Sequence, residues 1–155
     1  MRYARERLTP GLLHEALPLL RAHKDEIAHY QDIPLDVAEE KYLAMDLAGT
    51  LRVFTARVDD ATASLDNKLV GYAVFFVAPN LHYRGSLQAS QDILYMDPAH
   101  RGRGLVFINW CDEQLRQEGV QAVYQHLKVE HDFGRALERL GYVFVDKIYA
   151  RRLDR

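Results

Sequence analysis

Residues 92–105 have the sequence Asp-Ile-Leu-Tyr-Met-Asp-Pro-Ala-His-Arg-Gly-Arg-Gly-Leu. The first five of these residues are mostly branched or aromatic, which predicts a β-strand. Pro98 then predicts a turn, and residues 101–104 predict a basic glycine loop. Apolar residues at helical spacing begin at Leu105 and predict a helix that stops at Gly119. A strand, a basic loop and a helix therefore follow one another directly.

The loop of residues 101–104 has the composition of an anion site. Its glycines let backbone N–H groups approach an anion closely, and Arg101 and Arg103 add charges whose forked geometry suits phosphate. The N-terminus of the following helix adds unpaired N–H donors and a partial positive charge. These features predict a pyrophosphate site, although a plain glycine turn has the same composition. The loop is neither a Walker A loop nor a dinucleotide fingerprint, because it lacks their further Lys-Ser/Thr or third glycine.

Two helices and three strands are predicted before this stretch. Thr9-Pro10 has the pattern of a capped helix start, so a helix is expected over residues 10–29. Asp36, with Glu39 three residues later, forms a variant capping box and predicts a second helix, which Gly49 can end. Strands are expected at residues 2–8, 51–58 and 69–77. The last of these strands is apolar enough to be buried on both faces.

The sequence after Gly119 predicts one more helix among several strands. A strand is expected at 122–127, Asp132 can cap a short helix that Gly141 ends, and strands are expected at 142–145 and 148–150. The order of elements is then β-α-α-β-β-β-α-β-α-β. Because helices and strands alternate only in the second half, the sequence predicts an α/β (α+β) domain. Its sheet should be antiparallel first and parallel around the strand of the opening stretch.

Bulk composition limits the function classes. The chain has 155 residues, which suits a single domain over residues 1–155, and a formal net charge of −2. A protein that mainly grips nucleic acid usually carries a basic excess, so no nucleic-acid partner is expected. Cys111 is the one cysteine, so no internal disulfide can form and a cytoplasmic location is expected. No run approaches about 18 apolar residues, so neither a leader nor a membrane span is expected.

Two segments together resemble a known family. Pro98, Arg101, Gly102 and Gly104 match the Pro-x-x-Arg-Gly-x-Gly run with which the GNAT superfamily of N-acetyltransferases binds acetyl-CoA. Residues 138–142, Glu-Arg-Leu-Gly-Tyr, resemble that family's closing helix signature, Glu-Lys-Leu-Gly-Phe, at a normal distance from the loop. The predicted order of strands and helices is also similar over nearly the whole chain.

The resemblance implies a fold, a cofactor and a reaction. The fold is a mixed, mostly antiparallel central sheet of about six to seven strands, flanked by about four helices. The reaction moves an acetyl group from acetyl-CoA to a primary amine by direct attack, with strand N–H groups stabilising the charge that develops on the thioester oxygen. By the same resemblance, the cofactor contacts Leu94, Tyr95, Met96, Arg101, Gly102, Arg103, Gly104, Leu105, Val106 and Phe133.

Three residues are candidates for proton transfer. Asp92 is the candidate base that takes a proton from the amine, although it also suits a hydrogen-bonded carboxylate at a strand end. The family's tyrosine that protonates the thiolate falls on Leu137, which cannot donate a proton. His126 or His131 is therefore the candidate acid, because imidazole titrates near neutral pH. Val106, in place of the motif's last glycine or alanine, is a second departure from the family pattern.

These departures leave a second hypothesis open, a catalytically degenerate module of the same fold that binds acyl-CoA or a protein partner. No metal is expected, because His126, Glu130, His131 and Asp132 lack the spacing of a zinc signature. The acceptor is expected to be a small-molecule or protein amine, with no membrane partner, and the resemblance also allows a homodimer. The residues expected to border the acceptor entrance are Tyr30, Asp32, His82, Tyr83 and Arg84.

Overall fold

The computed structural model describes residues 1–28, 32–59 and 66–154. Within them the chain forms one five-stranded sheet with helices on both faces. The strands are β1 (Arg2–Glu6), β2 (Leu51–Asp59), β3 (Asp66–Pro79), β4 (Leu87–Met96) and β5 (Ala122–Tyr124). The helices are α1 (Pro10–Ile27), α2 (Glu39–Leu47), α3 (Gly104–Gln117) and α4 (Gly134–Arg139). Short 3-10 helices lie at Pro98–Arg103 and Val129–His131.

The sheet is mixed, as the sequence predicts. Its strands lie in chain order, and each neighbouring pair from β1 to β4 is antiparallel. β5 is parallel to β4, so the parallel part lies where it was expected. β3 is the central strand, and most of its residues from Leu69 to Val77 are buried. This burial confirms that β3 is covered on both faces.

Alternate side chains of the central strands point to opposite faces and build two apolar clusters. On one face, Phe54 and Phe75 belong to a cluster with Phe107, Cys111 and Leu115 of α3. The cluster on the other face consists of Leu12, Leu51, Val53, Leu69 and Val74, with Tyr42, Met45 and Ile93 beside it. α3 therefore covers the first face, and α1 and α2 cover the second.

The first helix begins as the sequence predicts. Thr9 Oγ1 accepts a hydrogen bond from the N–H of Leu12 at 3.1 Å, and Pro10 stands in the first turn. The helix ends at Ile27, and residue 29, its expected end, lies outside the described residues. None of the helices in the described ranges combines the length and the apolar character that crossing a lipid bilayer requires.

The start of α2 corrects one expectation. The sequence predicts a helix from Asp36, but α2 begins at Glu39 and no described side chain caps it. Residues 35–38 instead line an apolar cleft above the sheet. The N–H of Glu39 donates to the carbonyl of Val37 at 2.8 Å, in place of a side-chain cap. The position of residues 35–38 in the cleft lining overrides the local helix signal, which is weak by itself.

The chain after α4 is the main departure from the sequence prediction. The strands predicted at 142–145 and 148–150 are wrong, because residues 142–150 have no regular secondary structure. β5 is also shorter than the predicted 122–127 and stops at Tyr124. Branched and aromatic residues give these segments a high strand propensity, but a strand also needs a neighbouring backbone to pair with. The described residues therefore form five strands rather than six to seven.

His23 joins α1 to the sheet. Its ring stacks on Tyr95 of β4 with centroids 4.9 Å apart, and its Nδ1 shares a hydrogen bond of 2.9 Å with the Tyr72 hydroxyl of β3. Burial lowers the pKa of His23 from 6.5 to about 4, against the opposite effect of the Glu26 carboxylate. The imidazole is therefore neutral at pH 7.

The protein should lose stability in mild acid through this histidine. Unfolded His23 has a pKa near 6.5, whereas the folded side chain takes up a proton only near pH 4. The free energy of unfolding should therefore fall as the pH decreases through this window, by up to roughly 3 kcal/mol. His23→Phe keeps an aromatic ring at this position but removes the titrating group, so the free energy of unfolding should depend less steeply on pH. Urea unfolding of both proteins measures the slopes, and equal slopes would contradict the assignment.

Candidate active site

β4 and β5 pair only over the first part of β4. The last pair of their ladder is Ser90 with Tyr124, whereas β4 continues to Met96. Residues 91–96 therefore have no strand on their β5 side in the described chain. A gap opens between this edge of β4 and the chain that follows Tyr124.

The side chain of Gln91 holds the point where the strands diverge. Its Oε1 accepts a hydrogen bond from the N–H of His126 at 2.9 Å, and the neighbouring Ser90 hydroxyl lies 3.0 Å from His126 Nε2. Gln91 is buried, so a side chain replaces the backbone ladder at this point. His126, a candidate acid from the sequence, takes part in these contacts and does not line the cavity at the gap.

A cavity of about 490 Å³ lies at the gap, between α1, β4, α3 and residues 130–136. Most of the residues predicted to bind the cofactor line it. They are Leu94, Tyr95, Met96, Arg101, Gly104, Leu105 and Phe133. The remaining three, Gly102, Arg103 and Val106, lie outside the lining, and Val106 is 52% exposed. The branched side chain of Val106 therefore does not crowd the cavity.

Gly102 and Gly104 stand beside open space. Neither has a positive φ, so the backbone conformation does not require glycine at either position. A Cβ built on either residue meets no described atom within 4 Å, so internal packing does not require glycine either. The space beside both backbones is therefore free for an atom from outside the chain, as close approach of a ligand requires.

The N-terminus of α3 lies at the same place, and the N–H of Gly104 itself donates to the carbonyl of Arg101. The 3-10 helix of residues 98–103 leads directly into α3 at Gly104. Asp97 caps that 3-10 helix by accepting a hydrogen bond from the N–H of Ala99 at 2.9 Å, whereas no described side chain caps α3. The first N–H groups of a helix lack partners within it and carry the positive end of its dipole. This end of α3 therefore favours an anionic group.

Glu26 of α1 is a site residue that the sequence did not reveal. Its carboxylate forms an ion pair with the Arg101 guanidinium and lies 3.2 Å from His131 Nε2. Arg101 Nε also lies 3.4 Å from the carbonyl of Met96. Arg101 and His131, both predicted site residues, are thus brought together by one carboxylate. Arg101 and Glu26 are 75 positions apart, so no local pattern could signal the pair.

Asp92 occupies a β-bulge on the α2 side of the sheet. Gln91 and Ile93 pair with adjacent residues of β3, so the ladder skips Asp92. The Tyr42 hydroxyl of α2 donates a hydrogen bond to Asp92 Oδ2 at 2.5 Å. Burial, and then this bond, raise the pKa of Tyr42, so the phenol remains the donor. Bulges re-aim side chains, and the Asp92 carboxylate is outside the lining of the cavity at the gap.

Three further side chains limit which groups can donate a proton or act as a nucleophile. Leu137 is buried in α4 and offers no proton at the position where the family has its tyrosine. Burial raises the pKa of the Cys111 thiol well above its usual range, so this cysteine is not a nucleophile. Tyr95 lines the cavity, and burial raises the pKa of its phenol, so it carries a proton at neutral pH. From the sequence, Tyr95 is expected to contact the cofactor through its backbone, and its phenol is given no role.

The segment before α4 contributes three polar side chains to the cavity, those of Glu130, His131 and Asp132. Asp132 Oδ1 also accepts a hydrogen bond from the N–H of Gly134 at 2.7 Å, beside the start of α4. Within the described ranges, no three His, Cys, Asp or Glu side chains are placed so that they could share a metal ion.

The residues expected at the acceptor entrance do not gather at the cavity. His82 and Tyr83 lie in a turn, where their N–H groups donate to a side-chain amide at 2.8 and 3.1 Å. Asp32 pairs with Arg152 at 3.1 Å. None of these residues, nor Arg84, lines the cavity at the gap. Tyr30 lies outside the described residues.

Solved structures share this architecture over almost the whole chain. A ribosomal-protein-alanine N-acetyltransferase from Brucella melitensis biovar Abortus 2308 is 18% identical, with a TM-score of 0.68 over 99% of this chain and 100% of that chain. An acetyltransferase from Trypanosoma brucei is also 18% identical, with a TM-score of 0.70 over 98% and 100% of the two chains. A predicted acetyltransferase from Clostridium acetobutylicum, solved with acetyl-CoA, is 11% identical, with a TM-score of 0.64 over 98% and 96%.

By sequence, no family model and no curated protein matches the chain. The likeness therefore lies in the three-dimensional arrangement of the chain. The chain has the fold of the GNAT acetyltransferases.

Proposed function

We propose that the protein is an N-acyltransferase that moves an acetyl group from acetyl-CoA to a primary amine. The observation that carries this proposal is the gap beside β4, where the ladder with β5 ends at Ser90 and the N-terminus of α3 adjoins open space at Gly104. Structures with the same fold are named acetyltransferases, which supports the reaction class and leaves the acceptor open.

The chain's residues divide the cofactor site into a polar part and an apolar part. The N-terminal turn of α3, with the Arg101 guanidinium beside it, would bind the diphosphate. Leu94 and Phe133 supply apolar walls for the pantetheine arm. Acetyl-CoA, when bound, supplies the acetyl group as an activated thioester.

Proton transfer involves residues on both sides of this site. The Asp92 carboxylate, held by Tyr42, would take a proton from the amine directly or through water. The Tyr95 phenol and the His131 imidazole both line the cavity and are the donors available to the departing sulfur in place of Leu137. The burial of Cys111 favours direct attack by the amine over a covalent enzyme step.

Acetyl-CoA should raise the melting temperature, and Gly104→Val should remove most of the shift. A ligand at about 100 times its dissociation constant stabilises the folded state by about 2.7 kcal/mol, or roughly 5–10 °C for a domain of this size. Valine has room in the free protein, because a Cβ at Gly104 meets no described atom within 4 Å, but it would occupy the space proposed for phosphate. Differential scanning fluorimetry measures both shifts.

Gly85→Val is the matched control for this experiment. Gly85 also has no described atom within 4 Å of a built Cβ, and it lies in a turn away from the cavity lining. The control should keep the full acetyl-CoA shift. A full shift in Gly104→Val, or no shift in the unmodified protein at millimolar acetyl-CoA, would contradict the cofactor assignment.

Asp92→Asn should lower kcat by about 10²–10⁴-fold, because an amide cannot take the proton of the amine. The acetyl-CoA thermal shift should remain, since Asp92 does not line the cofactor cavity. Thiol release measured against a panel of primary amines gives kcat. Glu113→Gln, on the exposed side of α3, is the control and should change neither quantity. An unchanged kcat in Asp92→Asn would remove Asp92 from the role of base.

The same assay tests the second hypothesis, a module that binds acyl-CoA without catalysis. The observation in its favour is Leu137, which leaves the usual acid position without a proton. If acetyl-CoA binds and no amine accelerates thiol release, the binding module is the better account.

A further inference from the structure

A second cavity lies on the face of the sheet that α1 and α2 cover. It is a cleft of about 370 Å³, with the sheet as its floor, the two helices as its walls and residues 35–38 at its rim. Spaces of about 300–1,000 Å³ hold small ligands. The side chains that line it are almost all apolar and include Leu12, Leu20, Leu51, Val53, Val74 and Ile93.

The charge of the lining selects among ligands. The polar side chains that line the cleft include the carboxyl group of Asp36 and the phenols of Tyr42 and Tyr72, and no described Lys, Arg or His lines it. An anionic ligand would find no cation there and would lose its hydration without compensation. An apolar molecule with one ammonium group could pair that charge with Asp36, which lines the cleft, or with Asp92, which is bonded to the lining residue Tyr42.

The cleft contacts both halves of the proposed reaction site. Tyr42 lines the cleft and donates its hydrogen bond to Asp92. Tyr72 also lines the cleft and shares its hydrogen bond with His23, which lines the cofactor cavity. The contact between Tyr72 and His23 therefore lies between the cleft and the cofactor cavity, and the candidate base is hydrogen-bonded to a side chain that lines the cleft.

We propose that this cleft receives the hydrocarbon body of the acceptor, so that the substrates are primary amines with an aliphatic or aryl-alkyl body. This inference rests on the proposed function. The nitrogen would lie beside Asp92. In the transfer, the N–C bond of an amide forms and the C–S bond of the thioester breaks, one amine proton passes to Asp92 or water, and the sulfur leaves as the thiol with a proton.

Linear primary alkylamines from ethylamine to octylamine test the proposal. Burial of each methylene should raise kcat/KM by about three- to four-fold until the cleft is filled, whereas polyamines and amino sugars of similar length should gain nothing. Ala16→Phe places a ring in the cleft and should flatten the series while the acetyl-CoA thermal shift remains. Ala22→Phe, on the exposed side of the same helix, should leave the series unchanged.

The outcomes separate this inference from the proposed function. A flat series in the unmodified protein, with short amines still acetylated, overturns the cleft assignment and leaves the acetyltransferase standing. If no amine is acetylated, the thermal shift caused by octylamine alone decides. If octylamine raises the melting temperature and Ala16→Phe abolishes that shift, the apolar amine site is supported although the reaction failed. If octylamine causes no shift, both the cleft assignment and the proposed function are overturned.

The C-terminal arm, residues 142–154, exposes apolar side chains to solvent. Five of its large apolar side chains, from Val143 to Tyr149, are each 70 to 88% exposed. No backbone hydrogen bond joins residues 143–150 to the rest of the described chain. The arm is nevertheless anchored at both ends, by Tyr142 on Asp112 at 2.6 Å and by Arg152 on Asp32. Large exposed apolar patches on a protein surface mark interaction sites.

The sheet offers a matching free edge. β5 is the last strand of the described sheet and pairs only with β4, so its outer edge carries unpaired backbone groups. An aromatic side chain buries roughly 150–250 Å² when it is covered. Two aromatic and three aliphatic side chains therefore approach the roughly 800 Å² per partner that a standard interface buries. One chain carries both the apolar arm and the free edge, so a second copy complements both.

We infer that a second copy of this chain covers the arm, in a two-fold dimer in which each arm lies along the partner's β5 edge. Sedimentation velocity at micromolar concentration should show a dimer. Phe144→Asp combined with Ile148→Asp should give a folded monomer, whereas Leu81→Asp, at a side chain that is 98% exposed outside the arm, should stay dimeric. A monomeric unmodified protein would overturn the inference, and protected arm amides in that monomer would show that the arm packs on its own chain.

Discussion

The backbone ladder between β4 and β5 stops at Ser90 and Tyr124, and the rest of the site follows from that end point. If the ladder continued to Met96, the edge of β4 would be fully paired and the 490 Å³ cavity would close. Because it stops, the Gln91 side chain ties the diverging chain to the sheet, and the end of β4 becomes one wall of a cavity. The uncapped N-terminus of α3 and the open space at Gly104 lie beside that wall.

The two cavities have opposite chemistry, and His23 stands between them. The cavity at the gap is lined by charged and imidazole groups as well as apolar ones, whereas the cleft under α1 and α2 is almost wholly apolar. His23 stacks on Tyr95 and bonds to Tyr72, so these rings lie between a polar space and an apolar one beside β4. Burial keeps the imidazole neutral, which allows a histidine to occupy such a position. A cofactor rich in phosphate and an apolar amine could thus approach β4 from different sides.

Local signals predicted much of this arrangement. The strand, the glycine loop and the helix of residues 92–105 follow from short-range pattern, as do the Thr9 cap and the buried central strand β3. Features that depend on residues far apart in the sequence could not be predicted from local pattern. The ion pair of Glu26 with Arg101 spans 75 positions, and the bulge at Asp92 is fixed by the register of β3. The apolar segment after α4 has the propensity of a strand, but propensity alone supplies no partner strand.

Amide chemical shifts during a titration with CoA report on the proposed cradle residue by residue. If the N-terminus of α3 and the adjacent edge of β4 hold the cofactor, the largest shift changes should fall on Gly102, Gly104 and Leu105, with a second group at residues 94–96. Amides on the far edge of the sheet, such as those of β1, should not move. Saturable changes that leave Gly102 and Gly104 unaffected would contradict the account.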